Sequence, residues 1–183
     1  MQELFRIFTL TLPILIPGLI LIVVLKFKWM CFLDIPIDLK GSLGKKRIFG
    51  DNKTIKGFVV MTVMAITVTY VLNIGLKNNL SLFIHPIFNK QPVIIGILYS
   101  ISYTIGELIN SFIKRRLNIF SGQANKNFMN LQTFFDLSDG IIVTALMLWL
   151  IVCVNLFEIL LAASVGIFLH FITDYLMKHL YLK

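Results

Sequence analysis

Asp136 and Asp139 stand three residues apart in Asp136-Leu-Ser-Asp139, with nothing basic beside them. On a helix that spacing puts both carboxylates on one face, where they repel unless a cation lies between them; hard oxygen donors of this kind suit Mg2+. The other role open to an aspartate here is capping, because the first turn of a helix favours acidic side chains. Upstream, Gly106-Glu-Leu-Ile-Asn-Ser-Phe-Ile-Lys-Arg-Arg116 carries a second set of groups. At about 100° per residue, Tyr103, Glu107, Asn110 and Lys114 fall within an arc of about 60°, with Ser111 beside it and Ile, Leu and Phe on the other faces. A polar stripe on an apolar helix must face protein, water or substrate. Ionisable groups at membrane depth read first as a functional site, with a structural interhelical network as the alternative. Glu107 joins the two aspartates as a candidate metal ligand, Asn110 and Ser111 are candidates to orient a substrate, and Lys114, Arg115 and Arg116 supply cations at the helix exit.

A third set lies earlier, in Gly41-Ser-Leu-Gly-Lys-Lys-Arg-Ile-Phe-Gly-Asp-Asn-Lys-Thr-Ile-Lys-Gly57. Glycines let backbone amides turn toward an anion and lysines supply point charges. A helix starting near Thr54 would aim its positive end at the same place. These are the parts of a phosphate cradle. An ordinary basic loop beside a membrane span accounts for the charge equally well, though not for the interleaved Gly, Asp, Asn and Thr.

The elements that must position these residues are membrane spans. The chain has 183 residues, 57% hydrophobic and 14% charged, with mean hydropathy +0.86, well outside soluble composition. We read an all-α integral membrane protein forming one membrane domain, with about five spans at 7–25, 57–76, 92–113, 140–154 and 159–177 and polar loops at 26–56 and 114–139. Pro13 and Pro17 should kink the first span. The Asn-rich connection 117–135, with Ser121-Gly122, reads as a loop, and the polar break at 155–158 as a tight turn. Near the end, His170, Asp174 and Lys178 share a face; His170 can orient substrate or serve an interfacial anchor. His85, alone in the 77–91 loop, reads as structural. Cys31 and Cys153 form neither a disulfide framework nor a metal-ligand spacing.

Net charge is +8, from 17 Lys and Arg against 9 Asp and Glu. The cations flank spans and form no aromatic-interleaved patch, which argues against nucleic acid as a partner. Fourteen of the 17 basic residues fall in the 26–56 loop, the 114–126 connection and the C-terminal tail. The positive-inside rule then puts the N-terminus outside and the C-terminus in the cytoplasm. That topology brings the Gly/Lys loop, the cationic end of the third span and the aspartate pair to one cytoplasmic face of the cell membrane.

Metal carboxylates beside a basic cradle, at the end of a lipid-accessible bundle, suggest phosphoryl or nucleotidyl transfer onto a lipid. The protein positions two anions and metal neutralises the triphosphate as pyrophosphate leaves. The motifs Gly44-Lys-Lys-Arg-Ile-Phe-Gly-Asp-Asn-Lys-Thr-Ile-Lys-Gly57, Gly106 to Leu117, and Asp136-Leu-Ser-Asp139 resemble the CDP-archaeol synthase family of membrane cytidylyltransferases, relatives of CDP-diacylglycerol synthases. The resemblance covers nearly the whole chain, including His170. It implies transfer of CMP from CTP to a lipid phosphate, an unsaturated archaeal ether lipid in the family, with Mg2+ and release of pyrophosphate. Carried over, it sets Gly50, Asp51, Asn52, Lys53 and Thr54 against the nucleotide phosphates. Ser111, Phe112, Lys114, Arg115 and Arg116 take the family's cationic run, and Asp136 and Asp139 its aspartate pair. The family usually has Gly-Asp where this chain has Gly106-Glu107, Trp-Arg at Ile55-Lys56, and Asp-Gln-x-Asp-Phe at Asp136 to Gly140. Glu for Asp keeps the charge and moves it by one methylene. A non-catalytic partner protein on the same scaffold is the alternative function. A transporter built on Glu107 is disfavoured by five spans without an evident inverted repeat. The expected partners are CTP, a lipid phosphate and the membrane, with a homo-oligomer as a further form.

Overall fold

Apolar runs in a bilayer become helices because lipid offers backbone amides and carbonyls no partner. The computed structural model describes residues 2–78, 80–120 and 129–179. Its helices are α1 (Gln2–Thr9), α2 (Leu12–Lys26), α3 (Ile55–Lys77), α4 (Pro92–Arg116), α5 (Met129–Val152) and α6 (Leu156–His179). Helices α3 to α6 are long and apolar enough to cross a membrane, and α1 with α2 makes a fifth crossing when the bent pair is taken as one. Between α2 and α3 a two-stranded hairpin pairs β1 (Ser42–Leu43) with β2 (Lys46–Arg47) in antiparallel register, Ser42 opposite Arg47. Gly44 turns it with φ of +65°.

Three boundaries differ from the sequence reading. The first span bends by 51° at Leu10–Thr11, while Pro17 lies inside α2 without interrupting it. Pro13 has no amide for the Thr9 carbonyl and its ring crowds that carbonyl, so α1 stops one turn earlier. The Thr9 and Thr11 hydroxyls donate to the carbonyls of Arg6 at 2.6 Å and Phe8 at 2.8 Å, and the buried Tyr99 hydroxyl donates to the Leu10 carbonyl at 3.0 Å. The α1–α2 break is therefore held from α4. Second, α5 starts at Met129 and not at 140, so residues 129–135 are helix and not loop. Polar Asn130, Gln132 and Thr133 hide that turn from hydropathy, and Thr133 satisfies its hydroxyl on the Met129 carbonyl at 2.9 Å. Ser121-Gly122 lies outside the described residues. Third, the last turn is Cys153–Asn155: Cys153 has φ of 58°, and Asn155 caps α6 by accepting from the Phe157 amide at 2.9 Å. Glu158 is thus in the first turn of α6, where a negative charge is favoured. His85 is tied into its loop as expected, accepting from the Ile87 amide at 3.2 Å and facing Glu158.

Helix α4 is the centre of the bundle, and two glycines set its distance from its neighbours. A Cβ on Gly96 would meet the Ile66 backbone of α3 at 2.6 Å; one on Gly106 would meet the Asp139 carbonyl carbon of α5 at 2.7 Å. From the α5 side, a Cβ on Gly140 would meet the Tyr103 ring at 2.5 Å. Backbone approach this close is the usual way membrane helices gain packing when no hydrophobic driving force separates them from lipid. Buried hydroxyls are satisfied across the same interfaces: Thr62 with Ser100 at 2.6 Å, and Thr69 donating to the Pro92 carbonyl at 2.7 Å. Exposed Leu, Ile and Phe side chains cover the exterior of the helices.

Gly106→Ala must push α5 from α4, and overpacking of this kind costs about 1–3 kcal/mol. Gly18→Ala has nothing within 4 Å of its new Cβ and gains helix propensity, about 0.5–1 kcal/mol. Thermal unfolding in detergent is expected to fall for the first variant and hold or rise for the second.

Candidate functional site

The α4–α5 approach decides which polar groups meet. With Gly106 against Asp139, the next turn of α4 puts Asn110 between the two aspartates of α5. Its Nδ2 donates to Asp136 Oδ1 and to Asp139 Oδ2, each at 2.7 Å. One turn further, the Lys114 ammonium pairs with Asp136. One turn back, Glu107 pairs with Lys53 at 2.8 Å. Asp136 and Asp139 lie well inside α5, which removes the capping role left open by sequence. Ser111 is buried on the flank of the stripe.

Lys53 arrives from the loop before α3. Thr54 caps α3 in an extended conformation, its hydroxyl accepting from the Gly57 amide at 3.3 Å. The strand-like segment 35–37 runs beside it: the Ile37 amide donates to the Lys53 carbonyl at 2.8 Å and the Ile55 amide to the Ile35 carbonyl at 2.9 Å. Gly50 has φ of +103°, a conformation open to glycine at little cost. Asp51 is exposed and pairs with Arg47 at 2.9 Å.

Arg115 and Arg116, expected among the phosphate ligands, point away from the aspartates. Arg115 donates to the carbonyls of Phe49, at 3.0 Å, and Ile119. Arg116 donates to the carbonyls of Leu43, Lys46 and Arg47 at 3.1, 3.2 and 2.6 Å and lies over the Phe112 ring. Lys46 returns the contact, donating to the Arg116 carbonyl at 2.8 Å. The end of α4 thus clamps the hairpin. Lys56 is buried and paired with Asp34 at 2.6 Å.

Sequence reasoning missed Asp38. Its carboxylate accepts from Arg47 Nη2 at 2.7 Å and Nε at 3.4 Å, and from the amides of Lys40, Phe49 and Gly50 at 3.1, 3.0 and 3.2 Å. Burial pushes this carboxyl up, but the Arg47 hydrogen bond and the three amides outweigh it and hold the pKa at about 2, below the ordinary 3.8. The one available signal was an acid in a basic loop, three residues before a glycine.

A cavity of about 430 Å3 opens beside the site. Its apolar walls come from α2, α3, α4, α5 and α6, including Leu21, Met61, Leu108, Ile141 and Ala163, and its polar lining includes Asn52, Lys53, Thr54, Glu107 and His170. The His170 ring is held by Nδ1 against the Leu137 carbonyl at 2.9 Å. Such a space fits an amphiphile with an anionic head.

The two aspartates fit a hard divalent cation: oxygens from both reach a single point, the one where Asn110 Nδ2 lies. Glu107 is not gathered with them. Among the described residues no three His, Cys, Asp or Glu side chains form a metal-sized cluster, and the Glu107 carboxylate is engaged by Lys53.

A family model described as CarS-like CDP-archaeol synthase matches residues 5–183. A CDP-archaeol synthase of Saccharolobus islandicus is 30% identical over 150 residues, 81% of this chain and 79% of that protein. One of Sulfolobus acidocaldarius is 25% identical over 150 residues, 81% of this chain and 80% of its own. One of Staphylothermus marinus is 38% identical over 78 residues, 43% of this chain and 38% of its own. No solved structure matches the chain.

The depressed pKa of Asp38 has a defined pH signature. A carboxylate with a lowered folded-state pKa contributes stability above its unfolded value and loses it as pH falls through the folded one. The difference in thermal stability between wild type and Asp38→Asn is expected to be constant above about pH 4 and to shrink between about pH 4 and 2.

Proposed function

The chain belongs to the CDP-archaeol synthase family, and from that premise we propose how its own residues divide the work of the reaction. The protein is a CTP-dependent cytidylyltransferase acting on a lipid phosphate within a membrane. An oxygen of the lipid phosphate attacks the α-phosphorus of CTP. The bond from that phosphorus to its bridging oxygen breaks and pyrophosphate departs with both electrons. A lipid phosphate is already an anionic nucleophile, so the demand on the protein is to hold two anions together and in line.

The observation that carries the assignment is the meeting of three features at one end of the bundle. The Gly50–Thr54 loop touches the α4 stripe through Lys53 and Glu107, the aspartate pair lies one turn along, and the apolar cavity reaches the same residues. We assign the nucleotide phosphates to Gly50, Asp51, Asn52, Lys53 and Thr54, with Lys114 adding charge beside Asp136. The lipid tail takes the cavity, with His170 and Asn110 orienting its phosphate. Arg115 and Arg116 act by fixing the hairpin behind the loop. A divalent metal would be held by Asp136 and Asp139, and Mg2+ is the ion their hard oxygens suit. When bound it supplies neutralisation of the charge on the triphosphate. Glu107 is assigned to Lys53. The excess of Lys and Arg around this end of the bundle supports a cytoplasmic site, with the N-terminus outside. The family match gives the non-catalytic alternative no support.

Detergent-purified protein supplied with Mg2+, labelled CTP and an unsaturated ether-lipid phosphate is expected to form the CDP-lipid. Asp139→Asn is expected to lower turnover by more than about a hundredfold, beyond the loss typical of outer-shell partners of a metal. Normal turnover by that variant would remove Asp139 from the metal site.

A further inference from the structure

Asp38 belongs to none of the motifs that carry the family resemblance, yet its side chain is fully enclosed. Burying a carboxylate is expensive unless it is paired and hydrogen-bonded. Asp38 meets that condition by gathering backbone from both ends of the segment that precedes the nucleotide loop. At one end it holds the Lys40 amide, which joins two successive non-glycine residues in the left-handed region, Leu39 with φ of 47° and Lys40 with φ of 65°. Such conformations persist only where the surroundings over-determine them. At the other end it holds the amides of Phe49 and Gly50. The Phe49–Gly50 peptide is consequently gripped from two sides, its N–H by Asp38 and its carbonyl by Arg115 of α4. Immediately after this fixed peptide the chain turns through Gly50 and delivers Lys53 to Glu107. Arg47 extends the grip, spanning Asp38 and Asp51.

We propose that Asp38 is a positioning residue for the nucleotide, fixing through the Phe49–Gly50 peptide and Arg47 the placement of the loop that presents Lys53. This rests on the reading that Gly50–Thr54 meets the CTP phosphates. A loop released from this grip must be ordered at the moment of binding, and that ordering weakens affinity for the ligand the loop contacts. The apolar walls of the lipid cavity are helical, and the loop reaches that cavity only through Ile37 and Asn52 to Thr54.

The test is a comparison of steady-state kinetics for wild type, Asp38→Asn and Lys53→Met, with CTP and lipid phosphate varied separately. Asp38→Asn is expected to raise the CTP KM about tenfold, the scale of one charge-assisted hydrogen bond. The lipid-phosphate KM is expected to rise less than the CTP KM, and kcat to recover at saturating CTP. An unchanged CTP KM in Asp38→Asn, or a loss confined to kcat, overturns the proposal when Lys53→Met does raise the CTP KM. An unchanged CTP KM in Lys53→Met overturns the nucleotide assignment of the loop itself, and this inference with it. Should Asp38→Asn not yield folded protein, Arg47→Gln keeps the carboxylate and its three amide partners while removing the guanidinium. It is expected to raise the CTP KM about threefold, less than loss of the carboxylate, and an unchanged value overturns the proposal.

Discussion

Lipid gives the stripe Glu107, Asn110 and Lys114 on α4 nothing to bond to, so this end of the bundle is arranged around partners for it. The partners come from two directions. Helix α5 brings Asp136 and Asp139, and the loop before α3 brings Lys53. What lets them reach is the absence of side chains at Gly106 and Gly140, where the α4 and α5 backbones touch. A wider crossing would leave Asn110 short of the aspartates. Packing between helices and the chemistry of the site are the same constraint seen at successive turns of α4.

The basic residues on this face divide into two groups that composition cannot separate. Arg47, Arg115 and Arg116 are committed to backbone carbonyls and to Asp38 and Asp51, building the hairpin and fixing it to α4, while Lys56 is committed to Asp34. Guanidinium groups suit this work because several fixed donors can serve several carbonyls at once. Lys53 and Lys114 are paired with carboxylates that line the site, and an ammonium on a flexible stem is the group able to exchange one anion for another. The clamp of arginines holds the loop; the two lysines meet the carboxylates of α4 and α5.

Glu107 stands at the position where the family resemblance leads one to expect an aspartate. The added methylene carries the carboxylate about 1.5 Å farther from α4, and in this structure it is what meets Lys53 across the gap between loop and helix. The aspartate pair of α5 is bridged by Asn110 without it. The departure therefore falls on the contact between loop and stripe and leaves the paired aspartates in place.

The sequence by itself determined the membrane class, the helical spans, the polar stripe of α4 and the pairing of Asp136 with Asp139 on one helical face, because these depend on hydropathy and on the 3.6-residue period alone. It also determined Thr54 as a helix start, since an N-cap is a local device. The tertiary structure decided the rest. The bend fell at Leu10–Thr11 because Pro13 acts on the carbonyl four residues before it and Tyr99 is there to hold the break. The start of α5 at Met129 was hidden because Asn130, Gln132 and Thr133 lower hydropathy without opposing a helix. Arg115 and Arg116 were drawn to the hairpin, and Asp38 became its hub, through hydrogen bonds between residues far apart in the chain. Such bonds leave no periodic trace in sequence, since only the fold sets which carbonyls and carboxylates come within their reach.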